Sequence, residues 1–206
     1  MLNRRDLLTF GALSLIPASC ATPQNAGRSP MVNDVHAQLN STRVARILRP
    51  SGIDTLVDTV RQAGEEGQVV SVSGSRHAMG GQQFAADSWL VDMRGMNRIL
   101  AFDQAAGTVD VEAGIEWPAL IEGLITQQVG AAQPWGIVQK QTGADRLTIG
   151  GALAANAHGR GLSFRPIIQD VESFVLIDGT AHRVCAAEAR TASCFAWRSA
   201  DTASSV

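Results

Sequence analysis

The chain has 206 residues, 45% of them hydrophobic, and its 17 basic and 19 acidic residues leave a formal net charge of −2. That length suits one well-packed domain or two small ones. The near balance of charge supplies no field that would recruit nucleic acid or an acidic polymer.

The amino terminus opens with Asn3-Arg4-Arg5-Asp6-Leu7-Leu8 and an apolar run from Leu7 to Pro17. A basic start, a short apolar stretch and small residues describe an export signal better than a membrane span, which needs about 20 apolar residues. The paired arginines resemble the twin-arginine signal, which exports proteins already folded around a cofactor. Pro17-Ala18-Ser19-Cys20 resembles a lipoprotein processing site, and cleavage near Ala21 is the other reading. The expectation is an export signal over residues 1–21 and a periplasmic or exported product, lipid-anchored if Cys20 is the processing site. A cytoplasmic protein with an amphipathic amino-terminal helix is the alternative. Residues 22–40, with Pro23, Gly27 and Pro30, read as a linker into a domain spanning 41–206.

Within that domain, Val44–Leu48 reads as a short strand ending at Pro50. Ser51 is placed to cap a helix from Ile53 to about Ala63, with Ile53, Leu56, Val57 and Val60 on one face and Gly64 and Gly67 at its exit. Gln68–Val72 reads as a buried strand leading into Ser73-Gly74-Ser75-Arg76-His77-Ala78-Met79-Gly80-Gly81. Strands follow at Trp89–Met93, Ile99–Phe102 and Thr108–Ala113, then a helix over Trp117–Ile125 with Pro118 in its first turn. Trp135 is expected near the loop leading to Thr148. Thr148–Ala155 reads as a closely packed helix of small residues. Val171–Ile177 and His182–Cys185 read as a hairpin turning at Asp178-Gly179. The fold class is α+β.

Two segments carry candidate chemistry. In the first, a strand runs into a loop of small residues whose backbone N–H groups can turn inward around a pyrophosphate, with Ser73 and Ser75 as further donors. Its glycine spacing differs from the dinucleotide fingerprint of a Rossmann unit. In the second, Leu147–Gly161, tiny side chains let a flat cofactor or another backbone approach, and Asn156 and His158 bring polar groups beside Gly159 and Gly161. Alone, either is equally a surface turn or a helix-packing patch; two within one short domain point to a ligand. His36 and His182 read as surface residues. Cys20, Cys185 and Cys194 show neither metal-site spacing nor a disulfide framework. No metal is expected.

These segments resemble the paired flavin-binding signatures of the vanillyl-alcohol-oxidase and sugar-lactone-oxidase superfamily, whose FAD-binding domain (PCMH type) has two subdomains. Residues 71–84 resemble its pyrophosphate loop, 147–161 its second flavin-contacting segment, and Asp170–Leu176 the strand that follows. The resemblance covers about residues 43–185. It implies FAD as cofactor, with Ser73, Gly74, Ser75, Arg76, His77, Gly80, Gly81, Thr148, Gly150, Gly151, Asn156, His158 and Gly159 contacting it. In many members a histidine at the place of His77 bonds covalently to the 8α carbon of the isoalloxazine ring. Here Arg76 and Ala78 flank it, where covalent members more often have Gly and Ser. For His158 the resemblance implies hydrogen bonding rather than catalysis.

The implied reaction is oxidation of an alcohol carbon of a small substrate, a sugar, lactone or alditol, with oxygen or another acceptor reoxidising the flavin. Residues 186–206 have no clear period and depart from the family pattern. A shifted reading frame of codons allowed there encodes a glycine-rich, family-like continuation, so a frameshift near 186–190 and a domain incomplete at its carboxyl end are expected. The substrate-facing acid or base would then lie beyond residue 206, leaving weak or absent activity. A non-catalytic flavin- or nucleotide-binding module, or a nonfunctional truncated product, are the competing readings.

Overall fold

The computed structural model describes residues 29–140, 143–161 and 163–187. The expected export signal with Cys20, and the tail from 188 onward with Cys194, lie outside the described residues.

The chain enters through two short strands, β1 (Met31–Val32) and β2 (Thr42–Arg43), paired antiparallel. The segment read as a linker therefore contributes a strand, and Val32 is buried with Val44 and Leu90. Three parallel strands follow: β3 (Arg46–Leu48), β4 (Val70–Ser73) and β5 (Trp89–Asp92), in the order β3-β5-β4. Central β5 is buried along its whole length, which explains its unbroken Trp-Leu-Val run. Arg46 lays its guanidinium over the Trp89 ring, 3.3 Å from the centroid.

Helix α1 (Ile53–Glu65) makes the crossover from β3 to β4 and buries Val57 and Ala63. Its cap is Gly52 rather than Ser51. The Thr55 hydroxyl reaches back to donate to Gly52 O at 2.7 Å and accept from Gly52 N at 3.2 Å, so it holds the cap residue's own backbone groups rather than the first-turn N–H groups that a capping serine would serve.

A second cluster forms around Ile115, Trp117, Leu120, Leu124, Ala152 and Ile167. It is assembled from the hairpin β6 (Ile99–Asp103) and β7 (Thr108–Val111), helix α2 (Trp117–Gln127) and helix α3 (Ile149–Ala154). Thr148 caps α3, its hydroxyl accepting from Gly151 N at 3.2 Å. Trp135 packs elsewhere than expected. Its indole N–H donates to Gln104 O at 2.7 Å and its ring lies over Gly107, because the β6–β7 turn offers an open carbonyl beside a residue without a side chain.

Strands β8 (Ser173–Ile177) and β9 (Arg183–Ala187) form the last hairpin. Its loop is longer than the Asp-Gly pair suggests: Asp178 N donates to His182 O, and Ala181 takes a left-handed φ of 63°. The Asp178 carboxylate accepts from both Thr180 N and His182 N at 2.9 Å, which favours the three-residue loop with a left-handed third position.

Candidate functional site

Two backbone hinges bring the glycine-rich segments together. Ser73 ends β4, so the following loop leaves from the carboxyl end of a parallel sheet, where backbone groups are no longer committed to strand pairing. On the other side, the entry to α3 is stitched to the entry to α2. Trp117 N donates to Leu147 O (3.2 Å), Ile149 N to Ile115 O (2.9 Å) and Gly150 N to Ala113 O (2.8 Å).

The two meet at Gly74 and Thr148. A Cβ added to Gly74 would overlap Thr148 Oγ1 and lie 3.0 Å from its Cγ2. Thr148 is 2% exposed, so glycine is what this contact requires. One residue on, the Ser75 hydroxyl donates to Glu116 Oε1 at 2.5 Å, tying the loop to the residue that precedes α2. Arg146 approaches the other Glu116 oxygen at 3.8 Å. Glu116 was not singled out from the sequence; its place immediately before a Trp-Pro helix start is the only local sign of a positional role.

Arg76 adopts φ 62°, an uncommon conformation for a residue with a side chain. Its guanidinium lies 3.7 Å from Asp92 Oδ2, at the end of β5. Asp92 is fully buried and also receives Arg49 at 3.3 Å and Arg94 at 2.6 Å. Burial pushes its carboxyl upward, but the hydrogen bonds and charges of Arg94, with Arg49, prevail and hold it below the usual range. Three arginines on one carboxylate leave the carboxyl end of the sheet electropositive.

His77 Nδ1 lies 2.8 Å from His36 Nε2, with the rings tilted by 53°. Burial, then the charge of His36, lower the His77 pKa; the Arg146 backbone and Glu116 act in the opposite sense without reversing it. The ring is therefore neutral at pH 7 and keeps a nitrogen lone pair. His36, read from the sequence as a surface residue, is exposed yet engaged. A partner 41 positions away leaves no mark in local pattern.

The other expected site residues separate into two groups. Thr148 stands against the first loop at Gly74, while Gly150 packs on Ala113 and Gly151 donates its N–H to the Thr148 hydroxyl. Asn156, with φ 49°, and His158 and Gly159 lie past the exit of α3. There buried Gln139 organises the chain: its carbonyl accepts from Gly159 N at 2.8 Å, and its amide donates to Asp170 at 2.6 Å and Arg165 O at 2.9 Å. His158 Nδ1 lies 2.9 Å from Gly159 O and borders a shallow hollow with Trp117, Gln139 and Ile167.

Residues 44–184 match the family described as FAD binding domain. The chain belongs to this family. The FAD-binding domain is 31% identical over 131 residues to an L-gulono-1,4-lactone dehydrogenase of Mycobacterium tuberculosis, covering 64% of this chain and 29% of that protein. It is 31% identical over 119 residues to a decaprenylphosphoryl-beta-D-ribose oxidase of Mycolicibacterium smegmatis (57% and 24%). A D-arabinono-1,4-lactone oxidase of Kluyveromyces lactis is 27% identical over 136 residues (64% and 26%). The chain thus spans less than a third of the length of these relatives.

FAD is the cofactor of this domain, and the polar groups around Gly74 suit it. Beside Gly74 in the chain, Ser73 Oγ and Arg76 Nε are buried without a protein hydrogen-bond partner, as are both polar side-chain atoms of Gln83 and, at the start of α2, Trp117 Nε1. Arg76 Nε can only donate and Ser73 Oγ can donate, so the pair beside Gly74 suits a ligand rich in acceptor oxygens. Among the described residues no group of three His, Cys, Asp or Glu side chains is placed to hold a metal ion, and no helix is long and apolar enough to cross a membrane.

Proposed function

We propose that this chain is the FAD-holding part of a flavin-dependent oxidoreductase that oxidises an alcohol carbon of a sugar, sugar lactone or alditol. The observation that carries the reading is the meeting of Gly74 and Thr148, beside buried polar groups that lack protein partners. The names of the relatives, two of them acting on sugar lactones, support the substrate class.

In this reading Ser73, Gly74, Ser75, Arg76, Gly80 and Gly81 hold the pyrophosphate, with the arginines around Asp92 offsetting its charge. Thr148, Gly150 and Gly151 line the same ligand, and Asn156, His158 and Gly159 contact it from the exit of α3. The bound flavin supplies a hydride acceptor and passes electrons to oxygen or another acceptor. His77, neutral and held by its neighbours, is the residue for covalent attachment. The segment with Arg4 and Arg5 directs the folded, flavin-loaded protein to the twin-arginine export machinery. Residues 1–206 alone turn over little or no substrate.

The test is to produce the full chain with FAD supplied, purify it, and record the visible spectrum before and after acid precipitation. Flavin in the pellet, moved to the supernatant by His77→Ala, supports both the site and the attachment. Flavin released from the unmutated chain leaves a non-covalent site and removes the role of His77. A chain that folds yet carries no flavin overturns the reading.

A further inference from the structure

Residues 33–40 precede the family match, which begins at residue 44, yet they form a closed, internally bonded loop against the glycine-serine segment. Asp34 is 2% exposed. One of its oxygens accepts from the backbone N–H groups of His36 (2.9 Å), Ala37 (2.6 Å) and Gln38 (3.2 Å), and the other from the Asn40 side chain (2.9 Å). Asn33 closes the ring: its carbonyl accepts from Asp34 N and Asn40 N, both at 3.0 Å, and its amide donates to Gln38 O at 2.7 Å. So many bonds within eight residues set the loop's shape before it touches anything else.

From that frame three groups reach the glycine-serine segment. Val35 N donates to Arg76 O at 3.0 Å, His36 Nε2 meets His77 Nδ1 at 2.8 Å, and Asn40 Nδ2 donates to Met79 O at 2.6 Å. Gly81 fits over Asn40, since an added Cβ would lie 2.8 Å from the Asn40 Cβ. Arg76 holds its left-handed backbone in the middle of these contacts, and such a conformation persists where surrounding structure over-determines it. A surface loop of small residues has no such order by itself.

We propose that residues 33–40 are a clasp for the flavin loop, and that His36 is a positioning residue that fixes the orientation of the His77 ring and couples the His77 tautomer to its own. A single hydrogen bond between the two imidazoles needs one donor and one acceptor, so His77 carries its proton on Nε2 when His36 Nε2–H donates and on Nδ1 when His36 Nε2 accepts: the two tautomers are tied together rather than independent. The consequence for FAD rests on the function proposed above; the ordering of His77 does not.

The experiment compares the full chain with His36→Ala and His36→Gln, the latter restoring a side-chain hydrogen-bonding group. Ring-nitrogen NMR signals of His77 are recorded without flavin, and FAD affinity is measured by quenching of flavin fluorescence. His36→Ala is expected to uncouple the rings, changing the His77 tautomer balance, and to weaken FAD binding about three- to tenfold, the size of one ordinary hydrogen bond. His36→Gln should recover most of both. An unmutated chain that binds no FAD while its His77 signals still respond to His36 would defeat the proposed function and leave the clasp standing. Unchanged His77 signals in a folded His36→Ala protein overturn the clasp, whatever the FAD affinity.

Discussion

Gly74→Ala adds a single methyl group at the contact on which the site depends. The new Cβ would overlap Thr148 Oγ1 and come within 3.0 Å of its Cγ2 and 3.1 Å of its Cβ. Thr148 has little room to yield: it is 2% exposed and its hydroxyl caps α3 at Gly151. Overpacking a filled interior costs about 1–3 kcal/mol. Turning Thr148 away would forfeit a cap worth about 1 kcal/mol. The expected loss is therefore ~2–4 kcal/mol, combining overpacking and cap. Urea unfolding followed by tryptophan fluorescence suits the measurement, because Trp89 in the parallel sheet and Trp117 at the start of α2 are both buried. Thr148→Ala removes the overlapping hydroxyl and methyl, so the double variant should be more stable than the two single losses predict, by at least ~1 kcal/mol. Gly74→Ala within about 0.5 kcal/mol of the unmutated chain, or strict additivity in the double variant, would refute the reasoning.

The remaining expectations concern charge. Asp92→Ala leaves Arg49, Arg76 and Arg94 without their shared carboxylate; because Arg49 and Arg94 can rehydrate, the loss should be ~2 kcal/mol rather than the 3–5 of a fully buried pair, read from the same unfolding curves. Hydrogen bonding by Asn40 and the backbone of residues 36–38 holds Asp34 at about 2 against an ordinary 3.8. Its depressed pKa means that its stabilisation is complete above pH 4 and lost as pH falls toward 2; Asp34→Asn should remove that part of the acid dependence. His77 should titrate below 6.5 in the unmutated chain, rise in His36→Ala and fall further in Glu116→Gln, as followed by proton NMR. Movement in the opposite directions would contradict the electrostatics given for the ring.

Much of the architecture follows from local sequence. The apolar spacing of α1, the Pro118 helix start, the alternation in β7 and the tiny side chains of α3 each express one local preference that packing does not oppose. The candidate site was partly legible for the same reason: backbone that must turn sharply or let a ligand approach needs glycine, and the strand before Ser73 locates that need. What escaped notice depends on distance along the chain. The His36–His77 pair, the Ser75–Glu116 hydrogen bond and the Gln139 bridge join residues 41, 41 and 20 or more positions apart, so no window along the sequence contains both partners. Residues 33–40 look like a polar linker because their hydrogen bonds are made by Asn and Asp side chains, the same types that fill solvated loops. Ser51 stands one residue before the α1 cap, Gly52, whose own N–H and C=O are held by the Thr55 hydroxyl from inside the first turn.

Hydrogen exchange of the full chain with and without FAD tests most directly whether the two glycine-rich segments form one site. Slowed exchange at both 73–81 and 148–151, appearing together as FAD is added, is the result this account predicts. Protection confined to one segment, or falling elsewhere while both continue to exchange freely, would contradict it.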